Sequence, residues 1–216
     1  MKRIYLDYAA TTPVDPKVEK VMHPYFGKVF GNPGAIHYFG QQAQGAVTLA
    51  RERIAKFFGL KNLQQVIFAG SATEANNLVL RGIINNLPQS HQSSVNPSTS
   101  SGLTLSRAEW VNSQQLKPRI IVSSIEHKSI LKTCRVLEKE GIVEIVRLPV
   151  SKEGIVDLKK LKSSLNENTV LVSVMYVNNE IGSLQPIKEI AQIINSFKRE
   201  KISFAETSQP PEHGPS

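Results

Sequence analysis

The sequence predicts an α/β fold in which a mostly parallel sheet is covered by helices on both faces, and three observations predict it. Short β-branched runs of strand length alternate with segments whose apolar residues recur at three- and four-residue steps. The connections between successive runs are long enough to hold a helix, as parallel pairing requires. The runs are nearly continuously apolar, the pattern of strands that water reaches on neither face.

Taken in order, Val47, Ala50, Ile54 and Phe57 place a helix with one buried face over 41–58. Gln65-Val66-Ile67-Phe68-Ala69 has the length and composition of a strand. It runs into Gly70-Ser71-Ala72-Thr73-Glu74 and a helix over 72–85. A buried strand is expected over 119–123, and a helix over 127–140 with Ile130, Cys134 and Leu137 on one face, ended by Gly141. A strand over 143–148, a short helix over 158–165 and a β-branched core strand over 169–175 follow. Pro186 suits the first turn of a helix whose stripe is Ile187, Ile190, Ala191, Ile194 and Phe197. Ile202-Ser203-Phe204 then reads as the start of one more strand.

Two segments break the alternation. The 31 residues 88–118 hold eight serines, four glutamines and three prolines, too little apolar surface to offset the entropy of ordering, so a disordered polar insertion is expected there. After Phe204 the sheet should continue. Instead 210–216 carries three prolines in seven residues, which extend neither strand nor helix.

Composition narrows the function classes. The chain has 216 residues, 40% hydrophobic and 20% charged, the profile of an ordinary globular protein. No run approaches the roughly 18 apolar residues of a membrane span, and Asp7 interrupts any signal-peptide core, so no membrane partner and a cytoplasmic location are expected. A single cysteine, Cys134, excludes an internal disulfide and a multi-cysteine metal site, and no metal is expected. The net charge of +8 is scattered in ones and twos without interleaved aromatics, which argues against a nucleic-acid partner.

In parallel α/β sheets ligands sit beyond the carboxyl ends of the strands, and three features fall there. Gly70-Ser71-Ala72-Thr73 precedes a helix, where free N–H groups and the helix dipole favour a phosphate; a plain Ser or Thr cap is the alternative. His127 follows the 119–123 strand, where an imidazole can stack on a planar ring and move a proton, or simply sit at a helix start. Asn178 and Asn179 follow the 169–175 strand, where amides can bond a ligand oxygen or close an Asx turn.

Five ordered motifs then carry a resemblance: Tyr5-Leu6-Asp7-Tyr8-Ala9-Ala10-Thr11-Thr12-Pro13; Phe30-Gly31-Asn32-Pro33 with His37 and Gly40; Ser71-Ala72-Thr73-Glu74-Ala75-Asn76-Asn77; Glu126-His127-Lys128; and Val177-Asn178-Asn179-Glu180-Ile181-Gly182. Together they resemble the cysteine desulfurases, pyridoxal-phosphate enzymes of the class-V aminotransferase family. The resemblance implies that residues 1–209 are the incomplete, truncated large domain of a fold-type I pyridoxal-phosphate enzyme, followed by a non-matching tail at 210–216. It makes Ala72 and Thr73 the cofactor-phosphate cradle, His127 the catalytic, ring-stacking histidine, Asn179 and Gln209 neighbours of the ring hydroxyl, and Asn32 and His37 substrate-side residues. It also implies sulfur transfer from L-cysteine, giving L-alanine and an enzyme persulfide for iron–sulfur cluster or thio-cofactor assembly. The partners implied are a sulfur-acceptor or scaffold protein and a second subunit of a homodimer.

Departures from the pattern temper the expectation of activity. Where the family carries an aspartate that pairs with the ring nitrogen, this chain has Glu206, and Phe204 stands where a histidine is usual. The cofactor-anchoring lysine and the persulfide cysteine of the family fall beyond the positions present. Cys134 lies on an apolar helix face and Lys128 beside the stacking histidine, so neither substitutes for them. These 216 residues are therefore expected to be inactive. The alternatives are another class-V enzyme, such as a selenocysteine lyase, or a non-catalytic binding or interaction protein.

Overall fold

The computed structural model describes residues 3–87 and 117–207. The expected insertion at 88–118, except for Lys117 and Pro118, lies outside the described residues, as do Gln209 and the 210–216 tail. The chain divides into two compact units, Met1–Ala69 and Gly70–Ser216.

In the first unit, α1 (Pro16–Met22) begins where Asp15 accepts the Lys17 N–H at 2.7 Å and Pro16 needs no donor. The sequence reading missed this helix, although an aspartate followed by proline is a helix-start signal. A single 3-10 turn follows at His23–Phe26. Helix α2 (Tyr38–Phe57) starts earlier than expected because His37 serves as its cap, accepting the Gly40 N–H on Nδ1 at 3.3 Å. Gly40 is required there, since an added Cβ would fall 2.1 Å from the Ala35 carbonyl oxygen.

Two expectations fail in this unit. The buried face of α2 is made by Gly40, Ala43 and Ala55, while Ala50 and Ile54 are exposed and Phe57 is 82% exposed. Among the described residues this unit holds only short helical pieces besides α2 and no strand of its own on which the larger residues could pack. The strand expected over 65–69 is instead a 3-10 turn at Leu63–Gln65 followed by unpaired chain, with Ile67 69% exposed. Val66 has extended dihedrals, but its carbonyl takes the Arg51 guanidinium at 3.2 Å in place of a neighbouring strand.

The second unit is the α/β core. Helix α3 (Ala72–Asn85) leads to β1 (Arg119–Ser123), α4 (Lys128–Lys139), β2 (Glu144–Leu148), α5 (Leu158–Ser164), β3 (Thr169–Ser173) and α6 (Ile187–Thr207). The three strands are parallel in the order β2-β1-β3. The predicted fold class, a parallel sheet with helices on both faces, is therefore what forms.

Strand β1 explains the two-sided packing. Ile120 and Val122 point into a cluster with Leu80 and Ile84 of α3 and Ile130, Cys134 and Leu137 of α4. Ile121, on the opposite face, packs with Leu148, Val156, Leu161 and Ile190. All three β1 side chains are inaccessible to water, and burial of each contributes about 1.5–3 kcal/mol. Cys134 is packed as expected, and burial pushes its thiol pKa up. Arg119 and Glu144, opposite each other in the β1–β2 register, form a two-pronged ion pair at 2.8 and 2.9 Å, and Arg119 also donates to the Ser164 carbonyl at the end of α5.

Helix α6 corrects the last expected strand. Its buried side is formed by Ile190 with Ile193 and Ile194, while Ile187 and Ala191 are exposed. The helix continues through Ile202-Ser203-Phe204 to Thr207. Lys198-Arg199-Glu200-Lys201 are good helix formers and no glycine or proline intervenes before Pro210, so three apolar-leaning residues do not interrupt it. Glu206, expected just past a strand, thus belongs to a helical segment. Among the described residues no helix is long and apolar enough to cross a membrane.

Candidate functional site

The carboxyl ends of β1 and β3 open on the same edge because the strands are parallel. The segments that follow them enclose a cleft of about 380 Å³ lined by residues 125–128, Leu131 and 178–181. This is where the strand-end argument placed the chemistry. His127 and Asn179, expected to work together, both line it.

His127 is held by helix formation itself. It is the cap of α4, and its Nδ1 accepts the backbone N–H of Ser129 at 3.2 Å. The Ser129 hydroxyl lies 2.8 Å from the same nitrogen and receives the Asn76 amide at 2.8 Å. With a second link, from the Thr133 hydroxyl to Asn77 Oδ1 at 3.0 Å, this ties the first two turns of α3 to α4.

The two asparagines divide the alternatives between them. Asn178 is buried and structural: its Oδ1 accepts the N–H groups of Glu180 and Ile181 at 2.9 and 3.0 Å, an Asx turn, and its Nδ2 donates to the Ile125 carbonyl at 3.1 Å. Val177 and Leu184 pair as an antiparallel bridge below it, and Gly182, at φ +71°, closes the turn in a conformation that glycine alone adopts without strain. Asn179 is left exposed at the tip, on the cleft.

Glu126 is a second positioning residue that sequence reasoning missed, although it stands in the motif. Its buried carboxylate accepts the Met175 N–H, joining the β1–α4 loop to the chain leaving β3. Desolvation raises its pKa above the ordinary 4.5, against the lowering effects of the Met175 bond and of His127. A raised folded pKa stabilises the fold fully below the unfolded value, and this contribution is lost as pH rises through the folded one. Glu126→Gln keeps an acceptor for Met175 and removes the titration. Its stability in urea unfolding, relative to the native chain, is therefore expected to improve as pH rises from about 4 towards 7. A relative stability of the variant that stays constant or falls over that range would contradict the buried ionisation.

At the start of α3, Ser71 accepts the Glu74 N–H at 3.1 Å and Glu74 accepts the Gly70 N–H at 2.7 Å, a reciprocal cap. The N–H groups of Ala72 and Thr73 are the ones that a first helical turn cannot pair internally. Ala72 and Thr73 do not line the His127 cleft, but their helix is bonded to α4 one turn further on. The arrangement offers an anion two backbone donors at a helix N-terminus, and offers a planar polar group an imidazole and an amide.

The remaining candidates have local roles. In the first unit, Asn32 Oδ1 accepts the Gly34 N–H at 2.9 Å and His37 caps α2, both side chains being exposed. Among the described residues no group of acidic, histidine and cysteine side chains could hold a metal ion.

Comparison with known proteins agrees with the motifs. The family Aminotransferase class-V matches residues 4–96 and 95–215. Cysteine desulfurase IscS of Rickettsia africae (strain ESF-5) is 44% identical over 191 residues, covering 88% of this chain and 40% of the relative. The corresponding protein of Dictyoglomus turgidum is 38% identical over 198 residues, covering 91% and 43%. Among solved structures, a NifS-like protein superposes with a TM-score of 0.72 at 31% identity, over 92% of this chain and 47% of that one. SspA, solved in complex with cysteine, superposes at 0.71 and 30% identity, over 90% and 48%. The chain thus spans less than half the length of these relatives.

Proposed function

The chain belongs to the class-V aminotransferase family, and from that premise we propose that it carries the cofactor-binding part of a pyridoxal-phosphate-dependent cysteine desulfurase. The observation that carries the reading is the cleft in which His127 and Asn179 meet at the carboxyl edge of the sheet. The available groups fit the cofactor. Ala72 and Thr73 would hold its phosphate by their backbone N–H groups and the Thr73 hydroxyl, His127 would lie against the ring, and Asn179 would bond the ring hydroxyl. When bound, the cofactor supplies an electron sink for bond breaking at the substrate's α-carbon.

The chain's own residues then have separable tasks. Asn178 and Glu126 fix the two cleft walls, so binding does not have to order them. His127 would lie over a ring face, and its Nε2 would hold or move a proton towards a bound group. L-cysteine as substrate is supported by the desulfurase relatives and by the SspA structure solved with cysteine; a sulfur-accepting protein and a second subunit as partners rest on the motif resemblance alone.

The 216 residues alone are expected to bind pyridoxal phosphate reversibly and to release no alanine from cysteine, because the covalent chemistry of the family needs a lysine and a cysteine that no motif position here supplies. Absorbance titration of the purified chain tests the first half. His127→Asn keeps a capping side chain for α4 but removes the ring, and should weaken binding roughly tenfold. Absence of saturable binding, or equal affinity in His127→Asn and the native chain, would refute the proposed site. Alanine release at a catalytic rate would refute the inactivity.

A further inference from the structure

The hydrogen bonds behind His127 fix which of its nitrogens carries the proton. One group in this set has a role that cannot change, the backbone N–H of Ser129, which only donates. It points at Nδ1 from 3.2 Å, so Nδ1 must present its lone pair. The Ser129 hydroxyl, 2.8 Å from the same nitrogen, must then turn its proton towards Nδ1, because otherwise two lone pairs would face each other. With that proton committed, the hydroxyl oxygen can only accept on its other side, and there Asn76 Nδ2 donates at 2.8 Å. The polarity therefore runs one way, from the Asn76 amide through the Ser129 hydroxyl to Nδ1. The Ser129 hydroxyl is well placed to act, since Ser129 itself is buried.

We propose that Asn76 and Ser129 are positioning residues that hold His127 as its Nε2–H tautomer, so that the neutral ring meets an occupant of the cleft as a hydrogen-bond donor. This deepens the cofactor-site reading and rests on it for its use in the reaction, while the tautomer itself is a property of the free chain. Nε2 is the nitrogen left for the cleft that His127 lines. The ring thus gives a proton at that atom before it can take one. A serine at position 129 also explains why the asparagine one turn into α3 is oriented towards a different helix.

The test is long-range proton–nitrogen NMR of the chain carrying nitrogen-15 histidine, without cofactor, at about pH 8.5, where an ordinary imidazole is neutral. The His127 signals are assigned by their loss in His127→Asn. In the native chain the Nε2–H form should dominate. Ser129→Ala removes one of two donors to Nδ1 and should raise the Nδ1–H fraction roughly fivefold, the usual weight of one hydrogen bond. Asn76→Asp is nearly isosteric but replaces the donor by an acceptor, and should raise that fraction at least as much, because the Ser129 hydroxyl then turns its proton away. Ser129→Thr should restore the native ratio. His37, which caps a different helix, serves as the internal control and should not change.

A dominant Nδ1–H ring in the native chain would overturn the proposal without any variant having to fold. Unchanged tautomer ratios in both Ser129→Ala and Asn76→Asp would overturn it as well. Loss of pyridoxal-phosphate binding with the native tautomer intact would instead count against the cofactor reading alone.

Discussion

Ile121→Ala is expected to lower the free energy of unfolding by about 3 kcal/mol, at the centre of the range for a buried isoleucine truncated in a packed core. Ile121 is fully inaccessible on the middle strand, paired with Val146 on one side and Val172 on the other. It meets helices α5 and α6 through Leu161 and Ile190. Two strands fix its backbone, so the walls cannot close over the missing carbons, and the cavity term adds to the lost transfer energy. Ile121→Val, which removes one carbon, should cost about 1 kcal/mol. Equilibrium urea unfolding measures both. A cost below about 1 kcal/mol for Ile121→Ala would mean that the opposing helices collapse into the space, contrary to the packing described.

Asn178→Ala should cost about 2 kcal/mol, by leaving the Ile125 carbonyl and the N–H groups of Glu180 and Ile181 without the partner that now satisfies them. The neighbouring Asn179→Ala should change stability by less than about 0.5 kcal/mol, since Asn179 is exposed. The binding effects should run differently: Asn179→Ala weakens pyridoxal-phosphate binding in a stable chain, whereas Asn178→Ala weakens it by loosening the turn that presents Asn179. Unfolding curves and binding titrations on the two variants separate these effects. Equal stability losses would contradict the division of labour between the asparagines.

The α/β core was legible because its signals are local and repeated. The apolar runs expected at 119–123, 143–148 and 169–175 contain the three parallel strands, the last ending at Ser173, and the helix expected over 72–85 is α3. Legibility failed where tertiary context decides. Val66-Ile67-Phe68 has strand composition but pairs with no strand among the described residues, and composition does not report whether a neighbour is present. Ile202-Ser203-Phe204 resembles a strand start, yet the helix before it meets no breaker.

The site divides in the same way. The positions of His127 and Asn179 could be inferred from strand ends, because parallel topology dictates where ligands bind. The residues that hold them could not. Glu126 and Ser129 look like ordinary surface polar residues in sequence, and only the fold brings Met175 to the first and Asn76 to the second. Asn178 and Asn179 are chemically identical neighbours, and a one-residue difference in the turn decides which is buried.

The most direct measurement is an amide proton–nitrogen NMR titration of the chain with pyridoxal phosphate, with inorganic phosphate in parallel. If the two helix N-termini and the β3 loop form one cofactor site, resonances of Ala72, Thr73, His127 and Asn179 will shift together and saturate with a single dissociation constant, while inorganic phosphate will move only those at the start of α3. Shifts scattered over unrelated surface residues, or the same response to both ligands, would contradict the site.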